Sequence, residues 1–498
     1  MGYFSHVATL GVLSHPWGIA DMEIGWFQNS PYLFTGASAD GGILRLRLAF
    51  DQVAAQVQAL PATNATGSRN LSDLDILQIN GQNWLLASGT TENARGLRPL
   101  AAGDGAVGAV SGISSTGDLT QWAQTSTYML GNQPYLVAAR WDVPGLQVFR
   151  VDGPTGMTRI QTLQDGPKTT LADVSALITV TPGTAPMIVA ASGIEGGLTT
   201  YVAGANGQLA LADTLGAAFG LGMGGITSLA SAQVLGETFV LVGGATTGTL
   251  SSFRINPLGV MFEADHRLDD LKTRFGGVQD VATFSNQGRS FAVAGGADDG
   301  LTLFEIGPGG RLYDMQSIAD QAGWTLGNVQ SLAATVIGNQ AQVFAAGSSA
   351  AGLTQFNIDM TRFGTLAVGA TTGGTLTGTA RDDHLEARGP AATTLQGGAG
   401  HDRLVAGPGE TTMFGGAGDD LFVFRPGGGT DRIMDFGRGA DRIDLGAYPT
   451  LYTTAGLTIT PTATGATLSV QGDQIFVQSW NDTSLSFTDF SADLLTFG

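Results

Sequence analysis

Two nine-residue segments hold the densest chemistry in the chain, GGAGHDRLV from Gly397 and GGAGDDLFV from Gly415. Both follow Gly-Gly-x-Gly-x-Asp-x-apolar-x without a mismatch. Their glycines are Gly397, Gly398, Gly400, Gly415, Gly416 and Gly418, and their aspartates are Asp402 and Asp420. A weaker copy, GTARDDHLE from Gly378, aligns Asp383 with those aspartates. Glycine lets the backbone turn sharply and aim carbonyls inward, and each aspartate adds a carboxylate. Such a donor set is all oxygen, which suits a hard cation. Leu385, Leu404 and Phe422 each lie two positions past an aspartate, where they are expected to start a short strand pointing into a coil.

With two full nonapeptides in tandem, residues 374–498 resemble the RTX family of calcium-binding, type I-secreted proteins. The resemblance implies Ca2+ as the metal, held by the motif glycines and aspartates, so that folding and metal binding become one equilibrium. The metal would then replace most of a hydrophobic core that so small a coil cannot build. Asp383, Asp402 and Asp420 stand 19 and 18 residues apart, or two nine-residue turns, which stacks their loops on one edge of a parallel β-roll. The intervening turns, from Arg388 and from Gly407, lack the aspartate. About two stacked calcium ions are expected, with Asp431 in GGGTDRI the candidate ligand of a third. DRIMDFGRGADRIDL, from Asp431 to Leu445, resembles the close of RTX rolls, which sets the roll at 374–445. Residues 446–498 alternate like strands, and the family implies an uncleaved export signal there, read by a type I secretion apparatus. In a calcium-poor cytosol the roll would stay unfolded, and millimolar calcium outside would fold it. The expected location is secreted and extracellular, with attachment to the cell surface left open.

The rest of the chain carries a longer rhythm. YLFTGASADGGILRLRL from Tyr32 recurs in degenerate form from Trp84, Tyr135, Met187, Phe239, Phe291 and Val343. Aligned on the Gly before the second apolar run, the copies fall at Gly42, Gly96, Gly145, Gly197, Gly248, Gly300 and Gly352, which are 49 to 54 residues apart. Each unit reads as four short alternating strands bounded by Gly, Asn and Pro. Four strands per unit, repeated radially, predict a seven-bladed β-propeller over residues 1–368. The fold class is therefore all-β: a propeller, then a parallel β-roll, then a β-rich C-terminal segment. Two segments compete to close the ring, HVATLGVL from His6 and RFGTLAVG from Arg362. The pattern does not choose between them.

Charge and composition narrow the partners. With 42 acids against 23 bases the net charge is −19, which disfavours nucleic acid and anionic membranes. Cysteine is absent, which suits export of an unfolded chain. The N-terminus lacks the basic region and cleavage site of a signal peptide, so a secretion address is expected elsewhere. No apolar run reaches membrane-helix length.

The propeller itself offers weaker chemistry. Asp21, Asp73, Asp173 and Asp280 each stand at the start of an expected innermost strand, which would ring one channel mouth with carboxylates. They suit cation binding or acid–base work, or else cap local turns. His6, His15, His266, His384 and His401 show no catalytic or ligand spacing. Trp17, Trp26, Trp84, Trp122, Trp141 and Trp324 are scattered over the blades, for packing or for stacking on sugars. Three functions follow as expectations. The first is a non-enzymatic protein binding an extracellular glycan or protein partner. The second is a secreted lactonase- or esterase-type hydrolase, and the third a calcium-dependent surface-layer component.

Overall fold

The computed structural model describes residues 2–39, 41–62, 70–89, 96–115, 121–141, 143–216, 222–427, 429–451, 453–490 and 495–496. They form two compact units, Met1–Asp359 and Met360–Gly498.

The first unit is a seven-bladed β-propeller. Its innermost strands are Ile19–Phe27, Leu71–Ile79, Trp122–Leu130, Val174–Val180, Ile226–Val234, Val278–Asn286 and Val329–Ile337. Each second strand is largely buried because both faces are covered by blades. Met187–Ser192 and Arg289–Gly296 are buried throughout. The core therefore lies between blades: Val137 and Val148 of the third pack with Val174 and Ile188 of the fourth. Two blades depart from the four-strand pattern. The second has three strands in its sheet, and the short strand Ser114–Ser115 pairs in parallel with Gly156–Leu163 of the third.

The N-terminal strand closes the ring. Phe4–Leu10 pairs antiparallel with Leu353–Asp359, from Phe4↔Ile358 to Leu10↔Leu353. The other contender, Phe363–Val368, pairs in parallel with Asp382–Glu386 in the second unit. The compact propeller thus ends at Asp359 rather than at residue 368.

The second unit is a parallel β-solenoid of two sheets. One runs Phe363–Val368, Asp382–Glu386, Arg403–Val405, Leu421–Val423, Arg442–Asp444 and Leu495–Thr496. The other runs Gly374–Thr377, Thr393–Ala399, Thr411–Ala417, Thr430–Phe436 and Asp473–Ser479, then antiparallel Gly465–Val470 and Leu457–Thr462. Register stacks like on like: Leu385, Leu404, Phe422 and Ile443 form one fully buried column, and Leu395, Met413 and Ile433 face them. Ala466, Leu468, Val470, Ile475, Val477, Phe490 and Leu495 belong to the same core. The described residues between 446 and 496 thus share the core of the roll. The short coil also builds more apolar core than expected, because its closing strands cover the open end of the column.

Candidate metal edge and the channel of the propeller

The Gly/Asp loops fall on one edge of the roll, where strands of one sheet cross to the other. Asp383, Asp402 and Asp420 are all buried there. Each aspartate caps the turn before it. Asp402 Oδ1 accepts the Asp383 N–H at 2.8 Å, and Asp420 Oδ1 accepts the Asp402 N–H at 2.9 Å. Asp383 Oδ1 accepts the Thr365 N–H. Buried Asp441 extends the ladder by accepting the Asp420 N–H at 3.0 Å.

A second ladder runs beside the first in the opposite sense. Asp382 accepts from His401 N at 2.8 Å, His401 Nδ1 from Asp419 N at 3.0 Å, and Asp419 from Ala440 N at 2.9 Å. Asp435 accepts from Gly415 N and Gly416 N, both at 2.9 Å.

The glycines are required by space. A Cβ at Gly397 would overlap Asp402 Oδ2, one at Gly415 would overlap Asp420 Oδ2, and one at Gly378 would overlap the Gly397 carbonyl. Gly400 and Gly418 take φ of 123° and 139°, a region that side chains disfavour.

Calcium fits this edge on one observation. Asp420 Oδ2 is buried and accepts no hydrogen bond, while glycine carbonyls crowd the same loops. A buried carboxylate oxygen without a donor calls for a cation or a proton. Burial pushes Asp420 up to about 8, with the charges of Asp441, Asp402 and Asp435 adding to it. Among the described residues no three His, Asp or Glu side chains converge as a metal-binding group. A cation here would therefore depend largely on backbone carbonyls.

Asp431 stands apart from these loops. It lies on the other sheet, accepts the Thr411 N–H at 2.8 Å, and is pushed up to about 7 by burial. Asp441, which lay outside the expected set, continues the ladder of Asp383, Asp402 and Asp420. Gly437, Gly439, Asp441 and Ile443 keep the nonapeptide order, but Asp441 follows Asp420 by 21 residues, which hides the period.

The channel gathers a different set of acids. A bulge near the start of each inner strand is followed by Asp21, Asp73, Gln124, Ala176, Ser228, Asp280 and Ser331 in the seven blades, and all but the buried Ser331 line the channel. Asp173 precedes its strand and is not among them, since Ala176 occupies the equivalent place. Glu23 and Asp75, two residues beyond Asp21 and Asp73, join the wall instead. These acids line a cavity of about 610 Å3.

Three of the acids pin neighbouring blades together. Asp21 accepts from Leu74 N at 2.6 Å, Asp73 from Thr125 N at 2.7 Å, and Asp280 from Leu332 N at 2.7 Å. They cap backbone N–H groups as a structural role requires, but those of the next blade. The Thr125 hydroxyl lies against both Asp73 Oδ2 and Asp75 Oδ2. One hydroxyl has one proton, so serving both carboxyls requires a second proton between them. Burial pushes Asp21 up to about 7 and Asp75 up to about 6, and raises Asp73, Glu23 and Asp280.

Compared with known proteins, the chain matches no family model and no curated protein.

None of the five histidines lines the channel cavity. His6 stacks on Trp324 with centroids 5.0 Å apart. His266 Nδ1 meets Ser251 Oγ at 2.8 Å, but Ser251 is fully buried and cannot reach a substrate. Trp84 and Trp122 are buried, whereas Trp17, Trp26 and Trp141 are exposed. No helix among the described residues is long and apolar enough to cross a membrane.

Proposed function

We propose that the chain is an RTX-type calcium-binding protein of the type I secretion class, exported unfolded and folded outside by calcium. Its propeller binds an extracellular glycan or protein partner. The observation that carries the reading is the buried Asp420 Oδ2, which has no donor, in a loop whose glycines admit no side chain. Asp383, Asp402, Asp420 and Asp441, with carbonyls of the glycine loops, would hold the metal. Calcium supplies the positive charge that these desolvated carboxylates lack and ties successive turns together.

The test is a calcium titration of the full-length chain by calorimetry and far-UV circular dichroism. Binding and a folding step near millimolar calcium are expected. Absence of both up to about 10 mM, well beyond the range of extracellular modules, would sink the reading.

A second reading, a propeller hydrolase, has the Asp73–Thr125–Asp75 bridge in its favour, because paired carboxyls with one shared proton suit acid–base chemistry. A lactone and ester panel tests it: turnover abolished by Asp75→Asn supports it, and no turnover leaves the binding role.

A further inference from the structure

The channel acids are not spread evenly round the ring. Two residues past Asp21 and Asp73, the first two blades carry Glu23 and Asp75, opposite Phe34 and Leu86 of their second strands. At the same register the third and fourth blades have Ser126 and Ile178, and the last three have Ala230, Ala282 and Ala333. Two neighbouring strands thus bring four carboxyls to one side of the cavity. No Lys, Arg or His is among the described residues that line it. Alanine serves at this place in three blades, so the strand itself does not call for a carboxyl.

Glu23 is the residue that the blade architecture leaves unexplained. Asp21 and Asp73 each cap a backbone N–H of the next blade, and Asp75 has the Thr125 hydroxyl. The Glu23 carboxyl has neither a hydrogen bond nor an ion pair among the described residues, and the charges that act on it, Asp21 and Asp75, both repel it. It lies wholly within the body of the propeller, and what exposure it has is to the cavity. Asp73 Oδ1 and Asp75 Oδ1 likewise accept no hydrogen bond among the described residues.

Buried carboxylate oxygens without donors call for a cation. A bare metal ion fits poorly, since among the described residues no three acidic or histidine side chains converge on one point. Carboxyls two residues apart on one strand instead stand about 7 Å apart, a length that an alkyl chain of a few carbons spans between two ammonium groups. The cavity of about 610 Å3 has room for such a molecule.

We infer that this side of the channel binds a small organic polycation, with Glu23, Asp73 and Asp75 accepting hydrogen bonds from its ammonium groups. Ammonium ions supply both the charge and the donors that these carboxyls lack, and such charge-assisted bonds are short and strong. Ser126 and Thr127 of the third blade add hydroxyls to the same wall. The site lies in the propeller and needs no calcium in the roll.

The test is calorimetric titration of the full-length chain with spermidine and, separately, with the peptide trilysine, at saturating calcium and again without it. The two probes separate a free amine from the same group on a lysine side chain. Spermidine should bind one to one with a dissociation constant below about 1 mM and raise the propeller's thermal transition. Glu23→Gln keeps the shape of the side chain and removes its charge; it should weaken binding at least about tenfold, as should Asp75→Asn. Glu263→Gln removes the same charge from an exposed place on the strand Met261–Leu268 and should leave affinity unchanged. Each variant's own thermal transition shows that its propeller is folded. Trilysine binding as well as spermidine extends the site to basic side chains, and its failure to bind restricts the site to free amines. No binding of either probe, or an equal loss in Glu263→Gln, overturns the inference. So does spermidine binding seen only without calcium, because the site would then take a metal ion.

Discussion

Asp75→Asn should stabilise the propeller above neutral pH and do little below about pH 4. Burial pushes the Asp75 carboxyl from its ordinary 3.8 up to about 6, with the Thr125 hydrogen bond partly opposing the shift. A raised carboxyl favours its protonated form in the folded state. Its contribution to stability is therefore complete below about pH 4 and is lost as pH rises through about 6. A shift of about two units corresponds to about 3 kcal/mol; water in the channel reduces this, so about 1–3 kcal/mol is the working range. Asparagine carries no charge and donates an N–H to the Thr125 oxygen, which frees the hydroxyl proton for Asp73. Over the Met1–Asp359 unit, at about 2 cal/mol/K per residue, that range raises Tm by about 1–4 °C at pH 8. The assay is scanning calorimetry at pH 4 and pH 8 with calcium held constant. Asp280→Asn is the contrast, because its carboxylate accepts from Ser228 Oγ, Val281 N and Leu332 N, and the amide mismatches one of them. It should destabilise at both pH values. Asp75→Asn lowering Tm at pH 8, or shifting it equally at both pH values, would refute the account of a strained, partly protonated channel.

Four further outcomes concern the roll. Asp420→Asn should weaken calcium binding at least about tenfold, measured by calorimetry. Since burial holds wild-type Asp420 up at about 8, calcium binding should release protons and weaken as pH falls below that value. Leu404→Ala removes a fully buried side chain from the central column and should cost about 2–5 kcal/mol, lowering the roll's thermal transition while leaving the propeller's in place. Gly418→Ala forces a side chain onto φ 139° and against the Gly400 carbonyl, and should cost about 2 kcal/mol or more, seen as early proteolysis of the roll.

The repeats were legible because each blade and each coil spends its apolar residues the same way. Gly42 through Gly352 mark a turn that every blade needs, and Leu385, Leu404 and Phe422 mark a column that every coil extends. Asp173 was misplaced and Asp441 not singled out for one reason in opposite directions. Position in a strand is counted from a bulge or a loop, and inserted residues do not announce themselves. Asp173 sits near the right place in sequence but before its strand, while Asp441 sits three residues late in sequence and in the right place in space. Glu23 and Asp75 were absent from the expected channel set because nothing in a local alternation says which polar face meets the axis.

The ring closure shows where local pattern stops deciding. Phe4–Leu10 and Phe363–Val368 have the same strand character. Their fates differ because only one has a second suitor. Phe363–Val368 offers Phe363, Leu366, Ala367 and Val368 to the parallel strand Asp382–Glu386, and pairing there starts the stack that buries Leu385 and Leu404 beyond it. The N-terminal strand has no such alternative in this fold. The choice is therefore made by what the roll gains rather than by what the blade prefers.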